Sequence, residues 1–141
     1  MKMFKDWMVV PATLAMLLTS VGVARSQTIH ITPGFKSDLV VTGTSGGSQS
    51  SKGCGMTGAT PNYVIKLGNN FSYLRFSVQG AGQPTLFIQG PNGSSCVQAD
   101  SFSGGKVEAP GYWESGTYSV YVGNRAQGQH PYTLTVTQKR S

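Results

Sequence analysis

The segment Tyr73-Leu74-Arg75-Phe76-Ser77-Val78-Gln79 sets Leu74, Phe76 and Val78 on one side of an extended chain and Tyr73, Arg75, Ser77 and Gln79 on the other. An apolar–polar period of two marks a β-strand with one buried and one solvated face. The pattern recurs on both sides of this segment. Tyr63, Ile65 and Leu67 alternate with Val64 and Lys66, and Leu86 and Ile88 with Thr85, Phe87 and Gln89. Tyr118, Val120 and Val122 alternate with Ser119 and Tyr121, and Tyr132, Leu134 and Val136 with Thr133, Thr135 and Thr137. Near the start, Ile29 and Ile31 alternate with Thr28, His30 and Thr32 before a turn at Pro33-Gly34. Gly68-Asn69-Asn70, the stretch 80–84 and Gly90-Pro91-Asn92-Gly93 punctuate the runs, and Asn-Gly, which readily takes positive φ, predicts a hairpin in the last of these. No segment after Gln27 has the i, i+3, i+4, i+7 spacing of a helix. The chain is therefore expected to be all-β, an antiparallel sandwich of six to eight strands.

Two stretches fall outside the pattern. Residues 42–60 are rich in Gly, Ser and Thr and cannot bury a core alone, so they read as a long surface loop or a flexible linker. After Cys96 and Val97 a polar loop leads to Tyr112-Trp113. Upstream, Lys2 and Lys5 precede a nearly uncharged apolar run over 7–24 and then small residues up to Gln27. Charged, apolar and small-residue regions in that order read as a secretory signal peptide, with an uncleaved membrane anchor as the alternative. Three parts result: a signal peptide at 1–26, a strand segment and Gly/Ser-rich loop at 27–60, and the sandwich body at 61–138.

Export fits the composition. Of 141 residues only 11% are charged, less than half the ~25% typical of globular chains, so the surface must be built from uncharged polar residues. That surface suits β-rich extracellular domains and argues against coiled coils. One domain is the most this length allows. The only cysteines, Cys54 and Cys96, both lie in the exported part, where thiols pair, and they are expected to form one disulfide. Cleavage would leave eight basic and four acidic side chains, with the cations scattered rather than clustered, so nucleic acid is not an expected partner. No stable membrane span is expected after cleavage, and the location is expected to be periplasmic or extracellular.

Thr85-Leu86-Phe87-Ile88-Gln89-Gly90-Pro91-Asn92-Gly93, then Ser115-Gly116-Thr117-Tyr118-Ser119-Val120-Tyr121-Val122 and Pro131-Tyr132-Thr133-Leu134-Thr135-Val136, resemble the bacterial pre-peptidase C-terminal domain over 71–137. The resemblance implies a jelly-roll-like sandwich acting as a non-catalytic accessory module in secretion, substrate binding or surface binding. Where the family pattern has an aspartate before its Leu-x-Leu strand this chain has Thr85, so acidic contacts do not carry over, and no attached protease domain is expected. The exported chain also resembles small exported cyanobacterial proteins of no assigned activity.

Catalytic and metal chemistry find little footing. Gly43-Thr44-Ser45-Gly46-Gly47 resembles the nucleophile loop of chymotrypsin-like proteases, but Thr44 takes the Asp position and this length cannot build that fold's two barrels. His30 and His130 have no partner at metal spacing, and Asp38, Asp100, Glu108 and Glu114 are dispersed, so neither a metal nor a cofactor is expected. Asn70-Phe71-Ser72 and Asn92-Gly93-Ser94 match the glycosylation tripeptide, a pattern common by chance. The aromatic set is the best lead. Tyr112, Trp113, Tyr121 and Tyr73, with outward-phased Phe87, offer flat apolar faces beside amides and hydroxyls, a surface suited to sugar rings or a partner protein. The alternative is that Trp113 folds back to plug the open end of the sandwich. The expected function is a non-enzymatic exported binding module for envelope carbohydrate or matrix polymer. A structural or assembly component pairing with an envelope protein through an edge strand in 27–41 is the second reading, and a small hydrolase the third.

Overall fold

The computed structural model describes residues 26–35, 38–50, 53–100 and 103–140, so the expected signal peptide lies outside it except for Ser26. The strands are β1 (Gln27–Ile31), β2 (Leu39–Ser45), β3 (Gln49–Ser50), β4 (Met56–Thr57), β5 (Tyr63–Leu67), β6 (Phe71–Gly80), β7 (Pro84–Gly90), β8 (Gly93–Gln98), β9 (Lys106–Trp113), β10 (Gly116–Asn124) and β11 (His130–Thr137). They form two sheets. One has four strands in the order β2-β11-β6-β9. The other has seven and is organised on β10, whose first half pairs β5 and whose last residue, Asn124, pairs Met56 of β4. The opposite edge of β10 pairs β7, with β8 outside it, while β1 lies outside β5 and β3 outside β4.

Alternation decides which face each strand buries. Ile65, Leu86, Ile88, Val120 and Val122 from one sheet meet Leu74, Phe76, Val78, Leu134 and Val136 from the other, all essentially without solvent contact. Burial of each such side chain contributes about 1.5–3 kcal/mol. The inward residues are those the period-two pattern selects.

The structure departs from the sequence reading in four ways. Among the described residues eleven strands form instead of six to eight, and one pair, β1 with β5, is parallel. Between β1 and β5 the chain crosses to the four-stranded sheet as β2 and returns, a connection long enough to reverse its direction. Residues 42–45, read as loop, complete β2 against β11, and two-residue strands β3 and β4 form within the rest of that stretch. The polar stretch before Tyr112 contains β9, paired along β6 despite Pro110 and Gly111. An edge strand tolerates proline because one row of its amides has no strand to bond. The hairpin expected at 90–93 forms: Gly90 pairs Gly93, so it turns on Pro91-Asn92, and positive φ falls on Gly93, at 129°. Proline holds φ near −65°, which excludes the primed turn that Asn-Gly alone would favour.

The disulfide joins Cys54 to Cys96, with Cα atoms 5.9 Å apart. It straps residues 53–57 over the outward side of β7, where the Thr85 hydroxyl donates to the Cys54 carbonyl at 2.7 Å and the Gln98 amide to the Gly53 carbonyl at 2.9 Å. Gly123 admits the strap, since a Cβ there would stand 2.7 Å from the Thr85 hydroxyl and 2.8 Å from the Thr57 methyl.

Candidate functional site

At one end of the sandwich the β7–β8 hairpin tip and the end of β9 enclose a groove of about 270 Å³. Asn92, Ser94 and Ser95 of the hairpin and Tyr112, Trp113, Glu114 and Tyr118 line it. A bulge in β6 between Phe71 and Leu74 interrupts the register opposite Tyr112. Bulges bend a strand and re-aim side chains. Here Trp113 packs against the core, its indole N–H donating to the Leu74 carbonyl at 3.0 Å and its ring 4.7 Å from Phe76 and 5.4 Å from Tyr118. Tyr112, its neighbour, is 59% exposed.

Three hydrogen bonds hold the turn between β9 and β10. The Tyr118 hydroxyl donates to the Glu114 carbonyl at 2.7 Å, the Ser115 amide to Asn70 Oδ1 at 2.8 Å, and Asn92 Nδ2 to Glu114 Oε1 at 2.8 Å. Burial, and after it the charge of Glu114, pushes the Tyr118 phenol above its ordinary pKa. The rim is thus an exposed aromatic ring beside an amide, two hydroxyls and one carboxylate.

The sequence-selected aromatics do not form one face. Tyr112 and Trp113 share the groove, Tyr112 exposed and Trp113 half-buried against the core. Tyr73 stands on the outward side of β6 beneath the Arg140 guanidinium, 4.3 Å from its ring centroid. Tyr121 stands on the outward side of β10, packed at 5.8 Å on Phe87, which is only 7% exposed. Among the described residues no three His, Cys, Asp or Glu side chains are grouped to hold a metal ion.

No family model matches the chain. An uncharacterized protein of Synechococcus elongatus is 35% identical over 130 residues, which cover 89% of this chain and 92% of that one. The chain belongs to the family of that protein. The pre-peptidase C-terminal domain of a Bacillus anthracis collagenase superposes with a TM-score of 0.52 at 18% identity, over 80% of this chain and 97% of that one. This member of the Synechococcus protein's family therefore has the pre-peptidase C-terminal fold. At the position where the fold family's pattern has aspartate, Thr85 is fully buried beneath the disulfide strap.

The other end of the sandwich carries buried polar groups that the sequence did not mark. Ser45, raised by the protease-like glycine loop, is buried, its hydroxyl donating to the His130 carbonyl at 3.1 Å and accepting from Asn124 at 3.3 Å. The His130 ring instead contacts the Gln127 carbonyl at 2.9 Å. Nearby, the Tyr132 hydroxyl donates to that of Tyr63 at 2.9 Å and accepts from Asn62 at 3.3 Å. Burial first, and the bond to Tyr63 second, push the Tyr132 phenol far above the ordinary tyrosine value of 10.0. The unfolded chain releases this proton near pH 10 and the folded chain holds it, so stability is full below that pH and falls as pH rises beyond it. Urea midpoints measured from neutral pH to about pH 11 should drop steeply at the alkaline end. Tyr132→Phe should show a shallower alkaline drop and a loss of about 1 kcal/mol at neutral pH, because Tyr63 and Asn62 lose a partner. An unchanged alkaline slope would remove Tyr132 as its cause.

Proposed function

We propose that the chain is a non-catalytic binding module of the extracytoplasmic space that takes envelope carbohydrate or matrix polymer in the groove beside Tyr112. The observation that carries this reading is the exposed Tyr112 ring, which lines one groove with Trp113, Tyr118, Asn92, Ser94, Ser95 and Glu114. An aromatic face stacks on a sugar's apolar face while amide, hydroxyl and carboxylate groups meet its hydroxyls. The Cys54–Cys96 disulfide and the pre-peptidase C-terminal fold support a location outside the cytoplasm.

The test is retention on immobilised envelope polysaccharide. Trp113 is unsuitable as the probe because it also packs against the core, so the comparison is wild type against Tyr112→Ala. A lost stack of about 1 kcal/mol should weaken retention roughly fivefold. Equal retention would remove Tyr112 from the site, and no retention of either protein would remove the carbohydrate reading. A second reading, contact with an envelope protein through an edge strand, is supported by the positions of β1 and β2, each at the rim of its sheet. A defined oligomer or co-purified envelope protein would favour it.

A further inference from the structure

We propose that Asn92 is a self-modification site: its side-chain amide is lost by spontaneous deamidation through Gly93, and the carboxylate formed confronts Glu114 across the candidate groove. The reaction stands on the sequence and hairpin geometry alone, whereas any effect on ligand rests on the carbohydrate reading above.

Asn92 is the only asparagine in the chain followed by glycine. The residue that follows supplies the attacking backbone nitrogen, and a side chain on it obstructs the approach. Asn62, Asn69, Asn70 and Asn124 are followed by Tyr63, Asn70, Phe71 and Arg125. The hairpin tip presents the Asn92-Gly93 pair to solvent, both residues are exposed, and no heavy atom lies within 4 Å of where a Gly93 Cβ would stand. Both residues are therefore open to water, and the Gly93 amide, at the last pair of the β7–β8 ladder, is freed for attack when that end pair frays.

The chemistry needs only water. A base takes the Gly93 amide proton, and the nitrogen attacks Cγ of Asn92. The new N–Cγ bond closes a five-membered succinimide as the Cγ–Nδ2 bond breaks and ammonia leaves with a proton. Water then opens the ring at either carbonyl, giving aspartate or isoaspartate. The net change is replacement of the amide nitrogen by oxygen and the gain of one negative charge.

The structure gives this change a consequence. Asn92 Nδ2 donates to Glu114 Oε1 at 2.8 Å, and the product carboxylate has no hydrogen to donate. Two carboxylates then face each other where an attractive contact stood. The described residues lining the groove include no Lys, Arg or His to neutralise the pair, and their other titratable groups are the Tyr112 and Tyr118 phenols. The Glu114-Ser115 turn keeps its bonds to Tyr118 and Asn70 but loses the tie to the hairpin. Tyr112, two residues before Glu114, precedes this turn in β9. The groove thus contains its own ageing reaction, which turns a rim with one hydrogen-bonded carboxylate into a rim with two opposed carboxylates.

The experiment ages the purified protein in mildly alkaline buffer made with oxygen-18 water and follows it by ion exchange and peptide mass mapping. The expected result is a more acidic form with label and the NH-to-O mass change in the peptide carrying Asn92, and isoaspartate within it. Asn92→Gln should abolish that form. No mass change, or change first at another asparagine, would overturn the assignment. Asn92→Asp then tests the consequence without ageing. Hydrogen exchange at the Ser115 amide should rise about threefold, because the turn, its Asn70 bond kept, opens more often without the exposed tie to the hairpin. Exchange unchanged at Ser115 would refute the effect on the turn even where deamidation itself is found.

Discussion

Replacing both cysteines by serine should lower stability by about 4 kcal/mol, because the Cys54–Cys96 bond closes a 42-residue separation and the open unfolded chain regains that loop's freedom. Part of the loss also arises in the folded state. The strap carrying Cys54 covers Thr85 and packs beside Gly123, so its release uncovers the outward side of β7. Urea denaturation with and without reductant checks both contributions. The wild type under reductant and the double variant Cys54→Ser/Cys96→Ser should share one lowered midpoint, and amide exchange should increase first at 53–57. A midpoint insensitive to reductant would show that the strap holds without its covalent tie.

Asn124→Ala should cost about 3 kcal/mol or more, the largest effect expected of any single polar side chain described here. Its carboxamide is fully buried and saturated at both ends. Oδ1 accepts from the Gln83 amide at 3.0 Å and the Ala126 amide at 2.9 Å, while Nδ2 donates to the Ala81 carbonyl at 3.0 Å and the Ser45 hydroxyl at 3.3 Å. One side chain thereby ties the β6–β7 loop, the loop after β10 and the end of β2, which belong to both sheets. Alanine strands these groups without solvent. Asn124→Asp separates hydrogen bonding from shape, since it retains the volume yet directs oxygen at the Ala81 carbonyl, and it should be no more stable than the alanine variant. Thermal melts of the two variants decide the matter, and a loss below about 1 kcal/mol would mean that water replaces the missing bonds.

The legible part of the fold was its core. Leu74, Phe76 and Val78, and their counterparts in β5, β7, β10 and β11, declare their side of the sheet by spacing alone, because adjacent strand residues must point in opposite directions. β9 was illegible because Pro110 and Gly111 normally end strands and are tolerated here by its place at an edge. The candidate site was legible in residue type and not in arrangement. Tyr112 and Trp113 were visible as an aromatic pair, but which of them faces water depends on the β6 bulge and on Phe76 and Tyr118, far away in sequence. Phe87 and Tyr121 show the same limit. Their outward phase was correct, yet they pack on each other, and Phe87 is covered.

Sequence alone therefore determined what two-residue periodicity and local turn chemistry control: an all-β chain, its inward-facing residues, a hairpin near residues 90–93 and two cysteines able to pair. Tertiary structure alone decided the parallel β1–β5 pair, the strap over β7, the packing of Trp113, the Asn124 hub and the contact of Asn92 with Glu114. The division has a physical cause. A strand's two faces are set by the backbone of each residue and its neighbours, whereas what covers a face, or meets a carboxylate across a groove, depends on segments brought together only when the two sheets close.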